Sequence, residues 1–189
     1  MEKVKTGAYV PLPIVPIVLV GAVVDGIVNY TTAAFVSGIN VNPPILCVSL
    51  NKHHHTPKGM IQNGTFSINI PSSAFVAETD YCGLVSGREI DKSDIFTSFY
   101  GELKTAPMIQ EFPITCECRY TGQKMEFPMD TACFGEVIQV HVNEDLLLQG
   151  EKIDIRRAVP LCYSGLENRY CALGEDLGQG WGVGKRYEK

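Results

Sequence analysis

What the chain lacks bounds its function first. Lysine and arginine number 16 against 21 aspartate and glutamate, a net charge of −5, and this argues against a surface for the phosphate backbone of nucleic acid. No apolar run reaches the ~20 residues of a membrane-spanning helix. The nearest, Ile14 to Val24 behind the charged Glu2 to Lys5, imitates a secretory signal, but Pro16 interrupts it, Pro13 precedes it and it flows straight into an Asp25-Gly26 turn. There is no Cys-x-x-Cys pair among the seven cysteines (47, 82, 116, 118, 133, 162 and 171), so they read as reduced thiols of a cytoplasmic protein rather than a disulfide framework. Cys116 and Cys118 share one strand face, too closely spaced and too few to read as a zinc site. Gly-x-Gly-x-x-Gly is missing, so a pyridine nucleotide would have no dedicated fold and would visit only transiently. Internal repeats and low-complexity linkers are absent too. With 189 residues, 45% of them hydrophobic, the expectation is one domain spanning 1–189 around a real core.

What is present is mainly β. Val15 to Val24 is apolar almost without break, which predicts a strand buried on both faces, turned by Asp25-Gly26 into Ile27 to Tyr30. Pro43-Pro44 stops the next segment, Ile45 to Leu50 reads as another buried strand and Thr65 to Ile70 as a further one. Ile114 to Tyr120 and Lys124 to Phe127 flank Thr121-Gly122-Gln123, which predicts a second hairpin. Ala132 to Val142 is a long strand in which Gly135 marks a bulge or a close contact. Short strands at these spacings predict a closed or split barrel.

Two helices interrupt the strands. Thr56 to Gly64 carries a capping Thr56, Pro57 at the first helical position and Gly64 past the end. Ser73 to Leu84 is the other, and it leads into Ser86-Gly87-Arg88-Glu89-Ile90-Asp91-Lys92, a polar loop of the kind that carries ligand contacts.

The most informative stretch is Asn29 to Thr56. Asn29-Tyr30-Thr31-Thr32-Ala33-Ala34-Phe35 offers donors, acceptors, small side chains and one aromatic surface for a flat polar ring. A strand later come Lys52, three histidines and the start of a helix, whose unpaired N–H groups and partial positive charge favour a phosphate. His53-His54-His55 is a poor metal site, since neighbours in extended chain point to opposite faces and no Cys, Asp or Glu nearby completes a ligand set. Together these features describe a cradle for a nucleotide-like cofactor.

The order of motifs resembles the flavin reductase-like family of FMN-binding split barrels, most closely its flavoredoxin branch. The resemblance runs through Asp25-Gly26, Asn29-x-x-Thr32-Ala33, Asn42-Pro43-Pro44, Val48-Ser49-Leu50, Thr56, Phe66-x-Ile68-Asn69, Ser86-Gly87-Arg88-x-x-Asp91-Lys92, Gly135-Glu136-Val137 with Val140-His141-Val142, and Tyr170-x-x-Leu173-Gly174. It implies a Greek-key split barrel that forms a homodimer with FMN near the subunit interface. Asn29, Thr31, Thr32, Ala33 and Phe35 would line the isoalloxazine, Asn51, Lys52, His53 and Thr56 would approach the ribityl phosphate, and Lys92 would reach the flavin from its loop. The implied activity is flavoprotein oxidoreduction, either electron transfer from an iron–sulfur donor or reduction by NADH or NADPH. The alternative is a module on the same barrel that holds flavin, or another phosphorylated ligand, without turnover. No side chain is singled out as catalytic.

Two departures from the family pattern stand out. Phe35 replaces a frequent Trp, and Asp130 replaces a His five residues before Gly135. A carboxylate facing the ring would lower the reduction potential. The tail from Gly174 to Lys189, with Trp181 among glycines, is too flexible for a stable helix and reads as an arm docking on a partner subunit.

Overall fold

The computed structural model describes residues 1–149 and 152–187. In chain order the elements are β1 (Val15–Pro16), β2 (Val18–Val24), β3 (Ile27–Ala33), β4 (Val36–Val41), β5 (Pro44–Asn51), α1 (Thr56–Asn63), β6 (Thr65–Ile70), α2 (Val76–Leu84), β7 (Ser98–Phe99), β8 (Met108–Ile109), β9 (Ile114–Glu126), β10 (Asp130–Val142), α3 (Ile155–Ala158), β11 (Leu161–Ser164) and β12 (Arg169–Ala172).

Seven strands form one antiparallel sheet in the order β3-β2-β6-β9-β10-β5-β4. Its two edge strands, β3 and β4, are consecutive in the chain and joined only by Ala34 and Phe35, a reach of ~7 Å. The sheet must therefore curl until its edges approach each other, and the result is the expected Greek-key split barrel, open along the seam between β3 and β4. Phe35 C=O accepts from Ser49 N–H at 2.8 Å and pins the corner to β5.

Side-chain alternation then sorts the core. Val18, Val20 and Ala22 of β2 point inward and pack with Ala33, Val48, Leu50, Phe66, Ile68, Cys118 and Cys133, while Met60 of α1 joins the same cluster. Leu19 points outward, into a second cluster with Tyr30, Cys82, Phe96, Ile109 and Phe112. Burial on both faces of β2 thus accounts for its unbroken apolar sequence. Gly135 is the close contact expected of it: a Cβ there would overlap the Phe66 ring and stand 3.3 Å from Cys118 Cβ.

Five expectations need correction. The first strand breaks after Pro16; β1 leaves the barrel to pair with β11, while β2 alone enters the seven-stranded sheet. β3 continues past Tyr30 to Ala33 because it pairs with β2 along its whole length. Asn42-Pro43 is a cis bond between β4 and β5, and Pro44 opens β5 by pairing with Val41 instead of ending a strand. Only Val48 and Leu50 of β5 are fully buried, since β4 beside it is an exposed edge.

The predicted hairpin at Thr121-Gly122-Gln123 is the fifth. β9 runs straight through it, and the turn comes at Phe127-Pro128-Met129. Gly122 adopts φ 78°, but within a bulge where β9 carries extra residues opposite Phe134. Thr121 Oγ donates to Phe134 C=O at 3.1 Å and accepts from Gln123 N–H at 3.2 Å, so the turn-like residues distort the ladder without reversing it.

The seven cysteines are unpaired, and Cys116 and Cys118 lie on one face with sulfurs 3.8 Å apart. Among the described residues no cluster of three His, Cys, Asp or Glu side chains could hold a metal, and no helix is long and apolar enough to cross a membrane. Beyond Gly174 the tail forms only a 3-10 turn, Val183–Arg186; Glu188 and Lys189 lie outside the described residues.

Candidate functional site

The site lies at the open edge of the barrel. Because β3 pairs only with β2, one side of its backbone has no strand partner, and the loop 83–92 folds over that edge. Two adjoining cavities result. One, of about 220 Å³, is lined by Asn29, Thr31, His53, His54, His55, residues 83–87 and Lys92. The other, of about 260 Å³, is lined by Val24, Asp25, Ile27, Val28, Asn29, His55 and residues 87–92. Asn29, His55, Gly87 and Lys92 belong to both.

Asn29 is the hinge of this arrangement. β3 directs it inward, where it is 4% exposed and donates from Nδ2 to Thr56 Oγ at 2.8 Å. Gly87 faces it so closely that a Cβ would overlap the Asn29 amide oxygen. α1 packs just as closely: a Cβ at Gly59 would overlap Val23 C=O, so the helix backbone lies directly on β2. The start of the helix has no side-chain cap. His55 occupies the capping position with Thr56 and Pro57 behind it, which leaves first-turn N–H groups without a side-chain acceptor.

Asp25, Glu89 and Asp91 line the larger cavity, but no carboxylate lines the smaller one, where the electrostatics favour an anion. Lys92 is 2% exposed, and its ammonium donates to Cys82 C=O at 3.1 Å and Val85 C=O at 3.2 Å at the C-terminal end of α2. No carboxylate pairs with it among the described residues, and burial lowers its pKa. His54 is held below the ordinary imidazole value by burial and then by the Lys92 charge, with Asp130 acting against both. Its Nδ1 is buried without a hydrogen-bond partner. His55 is lowered by burial and by Arg88. A buried ring nitrogen without a hydrogen-bond partner and a buried cation without a counter-charge are each costly, and an anionic acceptor near both would relieve them. The donor set therefore fits a phosphate, and Asn29 and Thr31 line the same cavity.

Four of the predicted residues, Asn29, Thr31, His53 and Lys92, line these cavities. The other six lie elsewhere. Thr56 is fully buried at the first helical position and is not the cap, because its hydroxyl is turned to Asn29. Asn51 accepts from His53 N–H at 3.0 Å and shapes the corner from beneath. Lys52 reaches instead toward Glu126 at 3.9 Å, on the β9–β10 hairpin. Thr32 lies on the opposite face of β3 from Thr31 and donates to Thr79 C=O. Ala33 is in the core, and Phe35 is half exposed beyond the strand end. His54, His55, Gly87 and Arg88 were not among the predicted contacts. The polar loop pointed to the last two; nothing in a run of three histidines tells which of them turns inward.

The Flavin reductase like domain model matches residues 14–173. Flavoredoxin from Methanosarcina acetivorans superposes with a TM-score of 0.93 at 44% identity, over 98% of both chains. Flavoredoxin of Desulfovibrio vulgaris (Miyazaki F) does so with a TM-score of 0.90 at 32% identity, over 97% of this chain and 100% of its own. At 22% identity and a TM-score of 0.78, an FMN-binding protein from Thermus thermophilus shares the fold over 95% of this chain and 100% of its own. The chain therefore belongs to the flavin reductase-like family of split barrels, in its flavoredoxin branch, and its chemistry is flavin-linked.

Proposed function

We propose that this protein is a cytoplasmic, homodimeric flavoprotein oxidoreductase that binds FMN and passes electrons through it, the donor being NADH, NADPH or a reduced iron–sulfur protein. In this reading residues 1–189 form one FMN-binding domain. The observation that carries it is Lys92, a buried ammonium with no carboxylate partner among the described residues, which lines one cavity together with His54, whose buried Nδ1 has no hydrogen-bond partner.

FMN supplies the redox chemistry when bound, and the protein supplies position and field. His53, His54, His55, Arg88, Lys92 and the first turn of α1 hold the phosphate in this reading. Asn29 and Thr31 meet the ribityl chain and the near edge of the ring. The free edge of β3 offers backbone donors and acceptors to the ring as far as Ala33, and Phe35 gives it an apolar border. Asn51, Lys52, Thr32 and Thr56 act from behind, by holding the corner and the strand.

Two measurements test this. Lys92→Met combined with Arg88→Ala should weaken FMN binding by ~100-fold or more while changing riboflavin binding by less than ~10-fold, the difference being the lost charge-assisted hydrogen bonds to phosphate; equal losses would put the phosphate elsewhere. Anaerobic addition of NADH, NADPH or a reduced iron–sulfur protein to the FMN-loaded chain should bleach the flavin with one of the three. Bleaching by none would leave a binding module.

A further inference from the structure

The hairpin of β11 and β12 brings two thiols face to face. Its strands are antiparallel, and their register sets Cys162 directly opposite Cys171. Residues so paired share one face of the ladder. Leu161 donates its N–H to Pro71 C=O at 3.0 Å and accepts at its C=O from Ile17 N–H at 3.4 Å, on the β1 side, so alternation turns the backbone groups of Cys162 toward β12. A pair of this kind holds its Cα atoms about 5.5 Å apart. That lies inside the usual span of a disulfide, about 4.4–6.8 Å.

No other two cysteines among the described residues are partners in register. Cys116 and Cys118 bring their sulfurs to 3.8 Å along one strand, but Cys118 is wholly buried in the barrel core, out of reach of a dissolved oxidant. Cys162 and Cys171 are half-buried and lie outside the core clusters. Tyr163 and Tyr170, each one position along, take the other face of the hairpin, where their rings meet at 5.5 Å and the Tyr170 hydroxyl donates to Asp80 of α2 at 2.7 Å. The thiols are left with the side away from α2.

We propose that Cys162 and Cys171 form a thiol–disulfide exchange site whose substrate is a low-molecular-weight disulfide. The Cys171 thiolate attacks one sulfur of the incoming disulfide and expels a thiolate; the Cys162 sulfur then displaces the second and closes the bond between the two cysteines. The two thiol protons pass to the two thiols released, and the two electrons of the pair reduce the incoming S–S bond. Cys162 acts second because burial, and then the charge of Cys171, push its thiol up. Cβ atoms opposite each other in a ladder stand about 4.5–5.5 Å apart, wider than the ~3.8 Å of a relaxed disulfide, so closure must draw the strands together. A bond made that way is readily reduced again. The hairpin it clamps carries Tyr163 and Tyr170 into one wall of a cavity of about 240 Å³, shared with Thr32, Ala34 and Gly83. The assignment stands on the hairpin alone and is independent of the flavin.

The test treats the full-length protein, kept anaerobic, with oxidised glutathione. After an acid quench the thiol titre of the unfolded chain should have fallen from seven by two, and the mass by about 2 Da. Trypsin cuts at Arg169, between the two cysteines, so the peptides that carry them should travel as one until dithiothreitol separates them. Cys162→Ser, or Cys162→Ala should the first variant misfold by circular dichroism, should instead retain glutathione on Cys171. Cys116→Ser should leave the link unchanged. A titre that stays at seven overturns the proposal, and so does a link between any other two cysteines, or glutathione retained on both Cys162 and Cys171 of the unaltered chain. Flavin binding is judged separately, by absorbance, and stands or falls apart from these outcomes.

Discussion

Asn29 and Thr56, 27 residues apart in the chain, meet through a buried 2.8 Å hydrogen bond that ties the edge strand β3 to the first turn of α1. The two elements that bound the candidate site are thus linked directly, and not merely through the barrel between them.

Removing either end should be costly. Asn29→Ala or Thr56→Val leaves a buried polar group without its partner, a loss of ~1–3 kcal/mol, to be read from urea unfolding. Thr56→Ser should keep most of the stability. In a double-mutant cycle the pair should couple by at least ~0.5 kcal/mol, as contacting residues do; additivity would show that the bond contributes nothing.

Acid should weaken the apo protein. His54 and His55 titrate in the folded chain below the ordinary value of about 6.5. As the pH falls through that value, the unfolded chain takes up protons that the folded chain refuses, so stability falls. Well above it both states are neutral and the contribution vanishes. Urea midpoints at pH 7.5 and 5.5 should differ, and His54→Gln should flatten the difference. Bound phosphate reverses the sign by favouring imidazolium, so FMN binding near pH 6.5 should be accompanied by proton uptake, measurable by calorimetry in buffers of different ionisation enthalpy.

Asp130 sits at the start of β10, close enough to His54 to raise its proton affinity. In the FMN-loaded protein Asp130→His removes a negative charge from this corner and should shift the flavin potential upward. An anaerobic redox titration showing no upward shift would place Asp130 too far from the ring to matter.

Glycines at two contacts should respond differently. Gly87→Ala pushes on the Asn29 amide at the mouth of both cavities and should lower FMN affinity by ~10-fold or more, about 1.4 kcal/mol. Gly135→Ala drives into the Phe66 ring and Cys118 and should instead lower stability by ~1–3 kcal/mol, the usual cost of overpacking. Isothermal binding and urea titrations of both variants separate the two effects.

Much of this molecule was legible in the order of its residues, for definite reasons. Unbroken apolarity marked β2 because both its faces are covered, and Pro57 and Gly64 bracketed α1 because each suits one helix end and not the other. Local signals misled where a distant partner decided the outcome. Thr121-Gly122-Gln123 has turn chemistry, yet the ladder to β10 keeps β9 extended through it. Thr56 has cap chemistry, yet Asn29 claims its hydroxyl. Lys52 has the right charge, yet Glu126 on the neighbouring hairpin attracts it. The site as a whole was visible as a segment, while the choice among adjacent side chains depended on the phase of each strand.

That phase also governs how the site tolerates change. Thr31 faces the cavities and Thr32 faces α2 because β3 alternates from the Asp25-Gly26 turn onward. A residue inserted between Ile27 and Asn29 would exchange the two threonines and turn Asn29 away from Thr56. An insertion at Ala34 or Phe35 would leave both where they are and only loosen the seam. The stretch before Asn29 therefore keeps time for the pocket, and natural length variation should accumulate after Ala33 and not before it.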